Sequence, residues 1–293
     1  MVPTAVHPKV HHHGKASAWS WAWRWVAAVA VAGTTVLAYY ANVHPFNGET
    51  MGQVSAKYAT LLTPAPFAFS IWGLIFLALA GYAVWQLLPT HHAQTLPDAV
   101  AKPLALASVG TGAWVVLFAY EMILPSLGVM LLILGCLITA YGRVRRRLFA
   151  GTAPALAGLP FSLFLGWISV ATVLNVTIGL KQLGWLPAEG VSVTLTLGLI
   201  LVITALALLM SRAFRDLVFP LVLAWALVGV WVARLSTVPE LGWAALAGAT
   251  VAAIGGVVLS RLGGRKTPWQ LRDEAAAAIE AEIAARNAAR GGQ

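Results

Sequence analysis

A single cysteine, Cys136, is all the thiol chemistry this chain carries. That excludes a disulfide within the chain and a zinc site built on paired cysteines. Charge is scarce as well: 10% of the 293 residues are Asp, Glu, Lys or Arg, where a soluble globular chain carries about 25%. A β-barrel is excluded, because alternating segments of about ten residues are missing. No paired acidic motif, metal-binding cluster or nucleophile–base pair lies within the apolar stretches. This makes an enzyme acting on an isoprenoid or porphyrin the weakest of the function classes considered.

What fills the chain is apolar side chain, at 59% of residues. Several uninterrupted runs reach the roughly 18–20 residues that cross a bilayer. Backbone polar groups in lipid must be paired within the segment, so these runs predict helices. The expected fold is an all-α, polytopic transmembrane bundle of about eight spans, near 22–41, 67–88, 104–124, 127–143, 160–180, 191–210, 217–235 and 241–262. Pro125 and Ser126 are expected to make the turn between the third and fourth spans. Pro220 falls in the first turn of the seventh, where proline is tolerated.

The basic residues predict a topology. With the N-terminus inside, only Lys57, Lys181 and Arg234 of the 19 basic residues fall outside, as the positive-inside rule prefers. Both termini are then cytoplasmic, and a bacterial inner membrane is the expected location. The formal net charge of +9 reads as topology and contact with anionic membrane lipid; a nucleic-acid partner is not expected. Residues 1–20 are read as a disordered tail. Its histidines, His7 and His11 to His13, have no Cys or carboxylate beside them to complete a metal site. After Pro268 the sequence "WQLRDEAAAAIEAEIAARNAARGGQ" is rich in strong helix formers. Its acids come early and its arginines late, as a helix dipole prefers, so 265–293 is read as a cytoplasmic helical tail.

Polar residues within the spans carry the functional signal, since they face other helices or a cavity. In "PFSLFLGWISVATVLNVTIGL", Trp167, Ala171 and Asn175 share one helix face at four-residue spacing. On the third span Thr111, Trp114, Phe118 and Glu121 share another. Trp72 and Phe76 lie one turn apart on the second. Facing one another, these stripes would wall an aromatic cavity with a few polar groups, the usual makeup of a small-molecule site. The competing reading assigns the tryptophans to membrane interfaces, above all Trp19, Trp21, Trp23 and Trp25. It assigns Asn175 to an interhelical hydrogen bond, and Asn175 fits that role slightly better than ligand contact.

The order of these segments resembles the TspO/MBR family of tryptophan-rich sensory or translocator proteins. "FSIWGLIF" is similar to that family's second helix, "LALASVGTGAWVVLFAY" to its third, "LGVMLLILGCLITAYGRV" to its fourth and "GWISVATVLNVTI" to its fifth. The resemblance covers roughly 20–187. It implies a five-helix membrane domain over 21–187, with three additional helices over 188–264 that have no counterpart in it. It also implies a pocket for a planar apolar ligand such as a tetrapyrrole, with a sensory, regulatory or transport role. No cofactor is required; a porphyrin would be ligand. The resemblance implies pocket positions at Trp72, Trp114, Trp167 and Ala171. With the helix faces above, the candidate ligand-binding residues are Trp72, Phe76, Thr111, Trp114, Phe118, Trp167, Ala171 and Asn175, with Arg24 or Lys57 near the mouth for a porphyrin's propionates.

Departures from the family pattern are specific. Thr111 stands where the family usually has asparagine, and Gly112 where it has tryptophan. Val115 and Val116 replace a proline pair. Val176 and Thr177 follow "ATVLN" where tyrosines are common, so sterol binding is not expected. "TPAPFAFS" lacks the family's tryptophan between prolines. Family members often dimerise through the third helix, whose Ser108 and Gly112 form a small face, so a homodimer is left open. Gly248, Ala252 and Gly256 make a second small-residue face, read as packing within the chain. A transporter of a small apolar metabolite remains the alternative, without a visible inverted repeat.

Overall fold

In the computed structural model, residues 18–262, 269, 270, 272–274, 276–280 and 283 are described. The expectations for residues 1–17, the histidines included, lie outside them. Residues 18–20, expected in the tail, already belong to the first helix. The helices are α1 Ala18–Val43, α2 Met51–Lys57, α3 Ile71–Leu87, α4 Thr95–Ala119, α5 Ile123–Phe149, α6 Leu159–Gln182, α7 Glu189–Phe214, α8 Val218–Arg234 and α9 Pro239–Leu262. A 3-10 turn, Pro66–Ser70, leads into α3. All described residues of the tail between 269 and 283 are helical.

Seven of these helices are long and apolar enough to cross a membrane, and α8 is an apolar helix of 17 residues. At 1.5 Å per residue α8 reaches about 26 Å, close to the hydrocarbon thickness of about 30 Å. The fold is therefore that of an integral, multi-pass membrane protein. Long helices adjacent in sequence run antiparallel. α1, α4, α5, α6 and α3 contact one another in that order and close a five-membered ring. α7, α8 and α9 form a second layer, joined to the ring where α8 packs on α6.

Two helix boundaries differ from expectation, both at prolines. α4 begins at Thr95 and runs through Pro103, rather than beginning after it. Pro103 cannot donate to the carbonyl of Ala99. That oxygen instead accepts from Arg143 Nη1 of α5 at 2.7 Å. The turn between α4 and α5 is not made by Pro125 and Ser126. It lies at Tyr120–Met122, where Glu121 adopts a left-handed φ of 56°. Pro125 sits in the first turn of α5, where its missing N–H has no intrahelical partner to lose.

One end of the molecule is tied by buried charge. Arg24 is fully buried and donates to Asp98 Oδ1 at 2.6 Å and to the carbonyls of Gln94 at 2.8 Å and His91 at 3.2 Å. Gln86 of α3 donates back to the Arg24 carbonyl, so α1, α3 and the start of α4 are locked together. A second buried cluster joins the two layers. Arg145 of α5 pairs with Asp216, in the turn before α8, and donates to Ser162 of α6 at 2.7 Å. Tyr141 donates to Asp216 Oδ2 at 2.8 Å. Asp216 Oδ1 accepts from the backbone N–H groups of Val218 and Phe219, capping the start of α8. Trp269 of the tail packs between Phe149 and Phe214 at the same end, under the Arg146 guanidinium.

Both small-residue faces pack within the chain. A Cβ on Gly248 would stand 2.7 Å from Thr204 Oγ1 of α7, so only glycine permits that approach of α9. Ser108 and Gly112 of α4 meet α1, where Thr34 donates to the Ser108 carbonyl at 2.7 Å.

Candidate functional site

α1 and α3 meet at the Arg24–Gln86 end and splay at the other. The gap between them, backed by α4, is a cavity of about 790 Å³. Thr35, Ala38, Tyr39 and Asn42 line it from α1, and Thr111, Trp114 and Val115 from α4. Trp72, Gly73, Phe76, Leu77 and Ala80 line it from α3. Thr50, Met51 and Gly52 at the start of α2 close one end, and Pro66, Phe69 and Ser70 belong to the turn that leads into α3. Tyr39 and Leu77 are 74% and 71% exposed, so the cavity opens sideways between α1 and α3, at the depth of the apolar spans.

Trp72 and Phe76 of α3 and Trp114 of α4 give the cavity its aromatic walls, and Phe118 backs Trp114. Trp72 and Phe76 stack at 5.3 Å with planes 24° apart. Trp114 and Phe118 stack at 4.9 Å and 18°. Trp114 is held by its indole N–H, which donates to Asn175 Oδ1 of α6 at 3.2 Å. Asn175 is held in turn by donating to the Ala171 carbonyl at 2.8 Å. Trp167 is buried behind Phe69, edge-on at 5.8 Å.

The eight residues singled out from sequence therefore divide. Trp72, Phe76, Thr111 and Trp114 line the cavity. Phe118, Trp167, Ala171 and Asn175 stand behind its walls and orient the residues that do. Asn175 makes the interhelical hydrogen bond that its depth in the helix favoured. The α1 wall was missed. Its signal was present, since Thr35, Tyr39 and Asn42 recur on one face, but the tryptophans at the start of α1 drew the reading toward a membrane interface.

The hydroxyls of Thr35 and Thr111 donate to the carbonyls of Val31 and Ala107, one turn back on their own helices. Their oxygens remain able to accept from a ligand. Among the described residues no Lys, Arg, Asp or Glu lines the cavity. Arg24 is not near the mouth as expected; it lies in the buried knot at the opposite end of α1. Lys57 is engaged too: its Nζ lies 2.6 Å from Glu121 Oε1, and Tyr58 donates to Glu121 Oε2 at 2.6 Å.

This clasp ties the end of α2 to the α4–α5 turn. Hydrogen bonds from Lys57 and then Tyr58 hold the Glu121 carboxyl below its usual 4.5. The glutamate raises Lys57 and Tyr58 above their usual 10.5 and 10.0. A depressed carboxyl contributes above its unfolded value and loses that contribution as pH falls through the folded one. Backbone amides at 57–61 should therefore lose protection in hydrogen exchange as the pH falls below the carboxyl's usual 4.5, after correction for intrinsic rates. Glu121→Gln should show the weaker protection at neutral pH as well.

A family model described as TSPO-like protein matches residues 24–258. The match begins in α1 and ends in α9, so it takes in the three carboxy-terminal helices. Comparison with curated proteins and with solved structures gave no match.

Proposed function

Because this chain belongs to the TSPO-like protein family, we propose that its cavity binds a planar, apolar ligand of the tetrapyrrole class, in a sensory, regulatory or transport role. The observation that carries this reading is the pairing of aromatic walls, Trp72 with Phe76 and Trp114, with a cavity that no charged side chain among the described residues lines. Its volume lies within the roughly 300–1,000 Å³ of small-molecule sites. Flat rings gain from stacking on Trp72 and Trp114. Any carboxylate on the ligand must stay at the rim, because burying it unpaired is costly. The sideways opening suits a ligand dissolved in the bilayer.

Quenching of tryptophan fluorescence by protoporphyrin IX tests this. The expected affinity is micromolar, about −8 kcal/mol. The dimethyl ester, which removes both charges, should bind at least as tightly; a loss of binding on esterification would point to a cationic site elsewhere. Trp72→Ala should weaken binding by about 1 kcal/mol beyond the lost area. Carotenoid and sterol arms distinguish the alternative, a transporter of another apolar metabolite.

The proposed setting is a bacterial cytoplasmic membrane with both termini in the cytoplasm. Support comes from the basic residues, since Arg143, Arg145, Arg146 and Arg147 gather at one end of α5 with Arg24. A reporter fused after Gln293 should be active on the cytoplasmic side only.

A further inference from the structure

The segment between α2 and α3 has two faces. Pro66 and Phe69 line the cavity. The residues beside them turn the other way and are bound by α8. Arg234 donates through Nε to the Leu61 carbonyl at 2.9 Å and through Nη2 to the Thr60 carbonyl at 2.7 Å. The Ala65 N–H donates to the Gly229 carbonyl at 2.9 Å. Trp225 donates through Nε1 to the Ala68 carbonyl at 3.0 Å, and its ring meets Phe67 edge-on at 5.3 Å. The contact is close: a Cβ on Gly229 would stand 2.7 Å from Pro64 Cβ and 2.9 Å from Ala68 Cβ.

We propose that α8 positions the cavity wall, with Arg234, Gly229 and Trp225 acting on the ligand site through the 60–69 segment. This rests on the cavity being the ligand site. The segment is short of its own support, because beyond its 3-10 turn it has few regular backbone hydrogen bonds to fix its shape. Four hydrogen bonds with one helix, three donated by it and one accepted, supply that shape. α8 is itself wedged among α6, α7 and α9, so the three-helix layer is a brace whose position sets where Pro66 and Phe69 stand. A site is only as defined as the shell that supports it.

The test uses the whole 293-residue chain in detergent, with protoporphyrin IX as probe. Arg234→Gln removes the paired donors, and Gly229→Ala pushes the segment from behind. Each should change the dissociation constant by about threefold or more. Arg234→Lys, which keeps a charged donor at nearly the arginine's reach, should fall between wild type and Arg234→Gln, whose amide donor is shorter and uncharged. A second readout needs no ligand: Thr111→Cys in a Cys136→Ser background puts a thiol on the cavity floor. Its rate of alkylation by N-ethylmaleimide should shift by a similar factor when either α8 substitution is added. If Gly229→Ala does not fold, the two Arg234 variants still decide.

The proposal is overturned if folded Arg234→Gln leaves both the affinity and the alkylation rate at wild-type values. If wild type does not bind the probe while the alkylation rate still shifts, the tetrapyrrole reading fails and the role of α8 stands. If binding is intact and alkylation is unmoved, the ligand reading stands and the role of α8 fails.

Discussion

Asp216→Ala should destabilise the fold by about 3–5 kcal/mol, the cost of removing one partner from a buried ion pair. Asp216 is 1% and Arg145 9% exposed, so the arginine left behind would keep its charge with little water to solvate it. The same substitution strips the acceptor from Tyr141 and uncaps the N–H groups of Val218 and Phe219 at the start of α8. Denaturant unfolding in mixed micelles gives the difference. Asp216→Asn should cost less, because its carbonyl oxygen can still cap α8. The double variant Asp216→Leu with Arg145→Met should recover much of the loss, since an apolar pair leaves no buried charge unmatched. A double variant as unstable as Asp216→Ala alone would mean that the cap, rather than the ion pair, holds the two layers together.

Ala38→Phe should weaken binding of protoporphyrin IX by about tenfold or more, 1.4 kcal/mol. Ala38 faces the cavity from α1, between Thr35 and Asn42. Ala38 is buried but borders the cavity's empty volume, so a phenyl ring there fills space that a planar ligand needs. Its stability cost should be smaller than that of a substitution in closed packing. Ala171→Phe makes the instructive contrast. Its periodicity places it on the face that also carries Trp167 and Asn175, which reads as a cavity face. Ala171 is buried behind the Trp114–Asn175 hydrogen bond, so a phenyl ring there would overpack the core, at about 1–3 kcal/mol. Equal quenching of wild type and Ala38→Phe would place the dye outside the cavity.

The contrast shows what the sequence could and could not reveal. Long apolar runs located the seven helices that are long and apolar enough to cross a membrane, and the shorter α8, because a bilayer demands length and helical pairing of the backbone. The third span was placed too late, at 104: α4 runs through Pro103 because the cost of a helical proline is offset by a donor, Arg143, that a one-dimensional reading cannot see. The stripe on α6 was a true helix face, and its residues do surround the site. Periodicity reports which residues share a face and not what stands in front of it; here Trp114 and Phe69 do. α6 is apolar all round and enclosed, so no polar face marks its outward side. Asp216 and Arg145 were illegible for another reason. They lie far apart in the chain, and each alone resembles an ordinary loop acid and one member of a cytoplasmic basic cluster.

The bracing of the cavity wall by α8 was equally hidden. Arg234 reads as one of three basic residues on the sparse side of the topology, and Gly229 as one small residue in an apolar helix. Only the fold brings both against residues 60–68. The family match running on to residue 258 fits a chain in which the second layer belongs with the first.

The central claim is that the gap between α1, α3 and α4 is the ligand site. A structure determined with protoporphyrin IX bound tests it most directly. The account predicts the macrocycle between Trp72 and Trp114, with its propionates at the opening between α1 and α3 or toward α2. A macrocycle bound at saturation on the outer face of the bundle, with the cavity empty of it, would contradict the account.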